Sequence, residues 1–167
     1  MVYDTNTWLK RYGRGYGVLS KGERRAIFDF TLLWSLYESQ VLACNGSVAR
    51  MIEKIDDWQN TNLLSDLQIL DAWHHFHNRL VDGDNTSYHF EGLRLQGRNK
   101  ALVNHNLLSA EISLLDRHKT LAHIIYRIRN NFLHGEKWSY GLSNQQENFQ
   151  HAGQVLMVWM DFNESSR

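Results

Sequence analysis

Apolar side chains recur every three or four residues along most of the chain. The clearest run begins at Lys21 and ends near Cys44, with one face formed by Ile27, Phe30, Trp34, Tyr37 and Val41. This period is typical of an amphipathic helix, and the Asn-Gly pair at 45–46 is a common stop signal. We therefore predict a long helix whose aromatic residues face a core.

The same period predicts five further helices. Ser47 is a suitable cap for a helix that continues to about Trp58. Others are predicted at about 63–80, 101–117 and 120–133, and the last begins near Asn144. Their inward-facing residues are expected to include Leu67, Leu70, Trp73, Phe76, Leu80, Leu108, Ile112, Leu115, Leu121, Ile124, Ile125, Ile128, Phe132, Phe149, Ala152, Leu156 and Trp159.

Two connecting stretches interrupt these helices. The polar sequence VDGDNTS at 81–87 predicts a turn. Residues 88–100 suit either a loop or a short strand pair, and a loop is favoured. The chain of 167 residues contains no proline, the residue that most often breaks helices. Together these features predict an all-α fold, a single-domain helical bundle of about five to six helices.

The first twenty residues look loosely ordered. The stretch RYGRGYG at 11–17 does not continue into the GxxxxGK pattern of a phosphate-binding loop. We expect residues 1–20 to form a flexible N-terminal arm and residues 21–167 to form the helical domain. The alternative is an arm that contacts nucleic acid, because Asp4 and Glu23 are outnumbered by Lys10, Arg11, Arg14, Lys21, Arg24 and Arg25.

Composition narrows the classes of function. Basic and acidic residues number 18 each, so attraction to nucleic acid has to come from local patches. No apolar run reaches the roughly 18 residues of a membrane span, and the N-terminus does not look like a signal peptide, so we expect no membrane association. The single cysteine, Cys44, cannot form an internal disulfide and suits a reducing cytoplasm. We expect it to be buried rather than reactive.

The histidines do not show the spacing of a metal site. His74 and His77 lie one helical turn apart, but a zinc site needs a third protein ligand, so a structural role is favoured. No metal and no cofactor are therefore expected. A position at the surface or the edge of the core is expected for His89, His105, His118, His123 and His151.

The stretch RIRNNFLHGEKW at 127–138 is unusual for a helix end. Gly135 is a typical residue after a C-cap, and the cationic side chains around it oppose the negative end of the helix dipole. This explanation does not account for Asn130 and Asn131. Asparagine is a poor helix former that costs roughly half a kcal/mol against alanine. A local rule broken in this way indicates a functional site.

The residues Arg129-Asn130-Asn131-Phe132-Leu133-His134 fit the pattern R-polar-x3-H. This pattern resembles the Rx4–6H signature of HEPN domains (higher eukaryote and prokaryote nucleotide-binding), and RNNFLHGEK is similar to the form found in bacterial members. Many HEPN domains are metal-independent endoribonucleases, often toxins or antiviral effectors, and act as dimers whose two motifs meet in a cleft. The resemblance implies that Arg129 and His134 are catalytic and that Asn130 supports them.

The choice between two arginines depends on helix geometry. On a straight helix Arg129 and His134 lie about 140° apart, whereas Arg127 and His134 nearly align. Arg129 is the first choice because polar Asn130 follows it, provided that the helix unwinds before Gly135. Arg127 then becomes a phosphate-binding neighbour. The other expected substrate-binding residues are Asn131, Lys137 and Glu38, the last of which is either a solvated residue or faces the site.

The resemblance implies a homodimer that cleaves RNA into 2′,3′-cyclic phosphate and 5′-hydroxyl ends. Its expected setting is toxin–antitoxin, stress or antiviral defence, with an antitoxin or defence-system protein as a further partner. Glu136 occupies the position where some two-gene toxins carry a tyrosine that a partner enzyme modifies, so that form of silencing is not predicted. The alternative is a non-catalytic HEPN module that binds nucleotide, RNA or a partner protein. In a third interpretation the motif is coincidental.

Overall fold

A computed structural model describes residues 4–134 and 142–166 of the chain. The described helices are α1 (Thr5–Tyr12), α2 (Lys21–Gln40), α3 (Val48–Asn60), α4 (Leu70–Leu80), α5 (Tyr88–Glu91), α6 (Gly97–Leu108), α7 (Leu114–Leu133) and α8 (Gln146–Ser165). A 3₁₀ turn at Tyr16–Val18 precedes α2, and the strands β1 (Val81–Asp82) and β2 (Asn85–Thr86) form an antiparallel hairpin. The predicted all-α fold is confirmed.

The core lies between the six longer helices α2, α3, α4, α6, α7 and α8. Helix α8 packs along α2 and against α4, while α7 packs against α3 and α6. Buried aromatic rings join α2 to α8, with centroids 5.9 Å apart for Tyr37 and Trp159. Helix α2 also meets α7, where the ring centroids of Trp34 and Tyr126 lie 6.4 Å apart. Within the described ranges, none of the helices has the length and apolar character that a membrane span requires.

Helix α2 begins as its sequence dictates and ends earlier than expected. The Ser20 hydroxyl accepts a hydrogen bond from the Glu23 amide, and the Glu23 carboxylate accepts one from the Ser20 amide, which makes a capping box. The helix ends at Gln40 rather than near Cys44. Ala43 and Cys44 both adopt positive φ, 50° and 61°, which turns the chain away from the helix axis.

Helix α4 is shorter than the predicted helix at 63–80. It begins at Leu70, and Leu67, which was expected to face inward, is 85% exposed. The preceding segment is held by α7 instead, because Asp66 pairs with Arg117 and the Ser65 carbonyl faces His118. These tertiary contacts override the helical period of the segment.

The predicted helices at 101–117 and 120–133 are divided at a different place. Helix α6 ends at Leu108, and a single 20-residue helix, α7, begins at Leu114. The Ser113 hydroxyl accepts a hydrogen bond from the Asp116 amide at 3.0 Å and so caps α7. As a result Leu108 is partly exposed at the end of α6, although it was expected to face the core.

The predicted turn at 81–87 is confirmed as a tight hairpin. Gly83 has a φ of 58°, in the left-handed region that glycine adopts without steric cost. Residues 88–100 contain the one-turn helix α5, a loop and the start of α6, and no strand pair.

Three side chains lie where they were not expected. Cys44 is exposed because it follows the turn away from α2, so the prediction of a buried cysteine is wrong. His118 and His123 were expected at the surface or core edge, yet both are buried. They lie on the face of α7 that packs into the bundle.

The segment before α2 is not irregular throughout. Asp4 caps α1 by accepting hydrogen bonds from the amides of Asn6 and Thr7. None of the residues of α1 is buried, so the helix does not share in the core. The predicted flexibility of this N-terminal arm stays a prediction.

Candidate functional site

The last turn of α7 carries the motif residues. The helix stays regular to Leu133, and His134 is its C-cap with φ −86° and ψ 15°. The His134 amide donates to the Asn130 carbonyl at 2.9 Å. Helical geometry therefore continues through Arg129 and Asn130 and ends at the histidine.

Arg129 has three neighbours, of which two lie on α2 and one on α7. Its Nη2 lies 3.6 Å from Glu38 Oε2, and its guanidinium carbon lies 5.1 Å from the centroid of the Trp34 ring. Its Nη1 donates to the side-chain oxygen of Asn130 at 2.8 Å. We call Trp34, Glu38, Arg129 and Asn130 the Arg129 cluster.

The side chains of the Arg129 cluster also contact one another. Trp34 Nε1 donates to Glu38 Oε2 at 2.6 Å, so one carboxylate serves both the indole and the guanidinium. Only 18% of the Arg129 side chain and 28% of the Glu38 side chain are exposed. A cation fixed in this way loses little rotamer freedom when a ligand arrives.

Two features of the cluster show how tightly it is packed. Arg129 Nε is buried and has no hydrogen-bond partner among the described residues. Gly46 lies against the Glu38 carboxylate, and a methyl group at this position would overlap the carboxylate oxygens. Glycine at position 46 therefore lets the chain after α2 pass close to Glu38.

Arg127 and Asn131 lie on a different side of α7. Arg127 Nε donates to the Leu93 carbonyl at 2.7 Å, and Asn131 Nδ2 donates to the Gly92 carbonyl at 3.0 Å. Arg127 Nη2 also donates to Asn131 Oδ1 at 3.2 Å. These bonds brace α7 against the loop after α5. Because two residues span about 200° on a helix, Arg127 and Arg129 point in nearly opposite directions.

His134 is exposed to solvent. Its position five residues after Arg129 on a helix that is regular to Leu133 leaves the two about 140° apart around the axis. The expected unwinding before Gly135 is thus limited to His134 itself. Lys137, together with Gly135 and Glu136, lies outside the described residues.

A cavity of about 310 Å³ lies on the side of α7 that carries Asn131. Arg79 of α4 and Asn148 of α8 line it together with Ile128. Asn148 Oδ1 bonds His75 Nε2 at 2.8 Å. Sequence reasoning missed Arg79 because a single arginine near a helix end carries no motif.

Metal ligands do not converge in the described part of the chain. No group of three or more His, Cys, Asp or Glu side chains there is placed to hold an ion. His77 instead packs near the Trp73 ring at a centroid distance of 5.9 Å, and His74 is exposed. The Arg129 cluster itself offers a fixed cation, Arg129, and a carboxylate, Glu38.

The bracing role of Glu38 is testable by unfolding. Glu38→Ala is expected to lower the free energy of unfolding by about 1–3 kcal/mol, because the Trp34 indole loses its acceptor and a largely buried guanidinium loses its carboxylate. Glu38→Gln keeps an acceptor and should lose less. Urea denaturation measures both, with Glu53→Ala as the control. Glu53 pairs with Arg50 and is 58% exposed, so its loss should cost less than about 1 kcal/mol.

The fold and the cluster define an all-α domain in which two helices hold an arginine and one of them ends in an exposed histidine. No protein-family model matches the sequence, and no curated protein or solved structure matches it. The resemblance to HEPN domains thus depends on the motif residues, and the roles that it implies stay predictions.

Proposed function

We propose that this chain is a metal-independent RNA endonuclease of the HEPN type that acts as a homodimer in the cytoplasm. The observation that supports this best is the state of the motif: Arg129 is pre-positioned by Glu38 and Trp34, and His134 is open to solvent. The proposed setting is toxin–antitoxin, stress or antiviral defence, with an antitoxin or defence-system protein as partner.

The chemistry suits these two side chains. RNA cleavage without a metal needs a base for the ribose 2′-hydroxyl and an acid for the departing 5′-oxygen. Histidine can serve in either role near neutral pH. The guanidinium of Arg129 balances the charge on the phosphorane, and Asn130 orients it. The products are a 2′,3′-cyclic phosphate and a 5′-hydroxyl.

A second copy completes the site in this proposal. One motif supplies one histidine, which cannot act as base and acid in the same step. The separation of about 140° around α7 also keeps Arg129 and His134 of one chain on different faces. Two motifs that meet across a two-fold axis supply two of each group, so dimerisation is part of the mechanism.

The described residues leave a second apolar surface of the molecule partly exposed. Helices α2 and α8 form a groove of about 550 Å³, in which Leu32, Leu36 and Met157 are about half exposed. Exposed apolar patches of this kind mark interaction sites on soluble proteins. Leu36 and Glu38 are two residues apart and so point to nearly opposite sides of α2, which places the groove on the side of the helix away from the Arg129 cluster.

The test is incubation of the purified protein with total RNA in EDTA, with light scattering to measure its mass. We expect a dimer and cleavage products with 2′,3′-cyclic phosphate ends. Leu36→Glu places a charge in the groove, and because the groove faces away from the Arg129 cluster, this variant should still cleave RNA. A monomeric protein that cuts no RNA, or cutting that EDTA abolishes, contradicts the proposal.

A second candidate is a non-catalytic module that binds RNA, nucleotide or a partner protein. The ion pair between Arg129 and Glu38 favours it, since a paired guanidinium has less charge to offer a phosphate. Binding of RNA without any cleavage in the same experiment would select this function.

A further inference from the structure

The N-terminal segment concentrates positive charge in a chain that is neutral overall. Between residues 4 and 25 the acidic residues are Asp4 and Glu23, and the basic ones are Lys10, Arg11, Arg14, Lys21, Arg24 and Arg25. Both acidic groups are engaged by backbone amides, Asp4 as the cap of α1 and Glu23 in the capping box of α2. Within the described part of the chain, Arg25 alone among these basic residues pairs with an acid, Asp29, at 2.8 Å.

Exposed aromatic rings accompany these charges. Trp8 is 49% exposed and Tyr12 is 57% exposed, with ring centroids 4.7 Å apart. Helix α1 buries none of its residues, so no described part of its own chain covers the pair. Exposure of two large apolar rings to water is unfavourable, and a flat ligand that stacks on them would remove this apolar surface from water.

The charges and rings are interleaved in space as well as in sequence. The guanidinium carbon of Arg11 lies 5.1 Å from the Tyr12 ring centroid, and that of Arg24 lies 5.6 Å from the Tyr16 centroid. Gly17 passes close to the Lys10 carbonyl, where a β-carbon would be 3.8 Å from the oxygen. The 3₁₀ turn connects α1 to the start of α2, and each of these two arginines lies beside an aromatic ring.

We propose that this segment, residues 4–24, is a docking platform for single-stranded RNA. Bases stack on Trp8 and Tyr12, while Arg11, Arg14 and Lys21 meet the phosphates. Stacking tolerates any base, because every base has a flat face, and the cations follow the backbone irrespective of sequence. The choice of RNA rather than another single strand rests on the proposed function, for which the platform would capture substrate.

The test measures binding apart from cleavage. The probe is a fluorescein-labelled 2′-O-methyl oligouridine of about 20 nucleotides, longer than the roughly 4–16 nucleotides that such surfaces cover. It lacks the 2′-hydroxyl that the proposed reaction needs. Fluorescence anisotropy of the full-length protein in EDTA gives Kd. We expect the double variant Trp8→Ala/Tyr12→Ala to raise Kd at least about tenfold.

Charge reversal tests the phosphate contacts separately. Arg11→Glu/Arg14→Glu should raise Kd and reduce the slope of log K against log salt by roughly 0.7 for each phosphate that is no longer neutralised. Tyr88→Ala and Arg98→Glu are matched controls, because both residues are exposed outside the segment, and both should bind like the wild type. Circular dichroism should show native helix content in every variant, since α1 has no buried residue.

Two results would overturn the inference: no binding by the wild type, or unchanged Kd in both arm variants. The second result could come with a loss of dimer mass in those variants. Such a loss would identify α1 as a protein interface instead. The nuclease proposal is judged by cleavage. Binding of the probe without RNA cleavage would support the docking platform and contradict the nuclease proposal. Cleavage with an unchanged Kd in the arm variants would support the nuclease proposal and contradict the platform.

Discussion

Replacing His134 with alanine is expected to slow metal-independent RNA cleavage by at least about 100-fold, the usual worth of a general acid–base group. Histidine is the residue type that most often acts as a general acid or base, and His134 is the only histidine among the described motif residues 129–134. The measurement is the single-turnover rate on an end-labelled RNA in EDTA. Loss of the histidine should reduce this rate without changing the ends of the residual product.

The control for this substitution is His105→Ala. His105 is exposed on α6, so its removal tests whether any surface histidine matters. Since His134 is exposed as well, its replacement should leave the free energy of unfolding within about 0.5 kcal/mol of the wild type. Equal rates for wild type and His134→Ala would end the catalytic assignment. Equal losses in both variants would point to non-specific RNA binding.

The course of the helices was largely predictable from apolar spacing, because most pack one face into a single core. Ser47 was recognised as a cap, and its hydroxyl does accept from the Arg50 amide at 3.3 Å. The same kind of signal at Ser113 and Asp116 was missed, because Leu114 and Leu115 continue the apolar period across the break. Periodicity therefore placed the end of α6 too late.

The candidate site was predictable residue by residue but not as an arrangement. The motif marks Arg129 from sequence, yet no pattern along the chain shows that Glu38, on a helix far away in sequence, reaches it. Arg127 and Asn131 look equally suited to bind phosphate. Their partners are the backbone carbonyls of Gly92 and Leu93. Every residue has a backbone carbonyl, so the sequence does not show which ones accept these bonds. Whether they also bind substrate stays a prediction.

Acid should destabilise this fold through His118. The side chain is fully buried, its Nδ1 accepts from Trp159 Nε1 at 2.9 Å, and its Nε2 faces the Ser65 carbonyl at 3.3 Å. This arrangement suits the neutral ring that is protonated on Nε2. Burial is the main cause that lowers its pKa from 6.5 to about 4, while Asp66 and Arg117 nearby act in opposite directions.

The direction of the effect follows from proton binding in the two states. Above pH 6.5 both folded and unfolded chains keep His118 neutral, so its full contribution to stability is present. As pH falls from 6.5 towards about 4, the unfolded chain takes up the proton and the folded chain does not. Stability is therefore lost over this window, by about 3 kcal/mol when it is crossed completely.

The measurement is the free energy of unfolding in urea at several pH values between 7.5 and 5, for wild type and His118→Gln. Glutamine does not titrate and still offers an acceptor for Trp159 and a donor for Ser65, so its stability should fall less steeply with acid. His123 and His151, whose pKa values burial also lowers, are present in both proteins and cancel in the comparison. The hydrogen bond from the Ser20 amide lowers the pKa of Glu23, so its carboxylate stabilises the fold. This contribution is lost only below about pH 4.5 and does not affect the measured range. Parallel pH curves for the two proteins would show that the buried imidazole takes up its proton as readily in the folded chain as in the unfolded one.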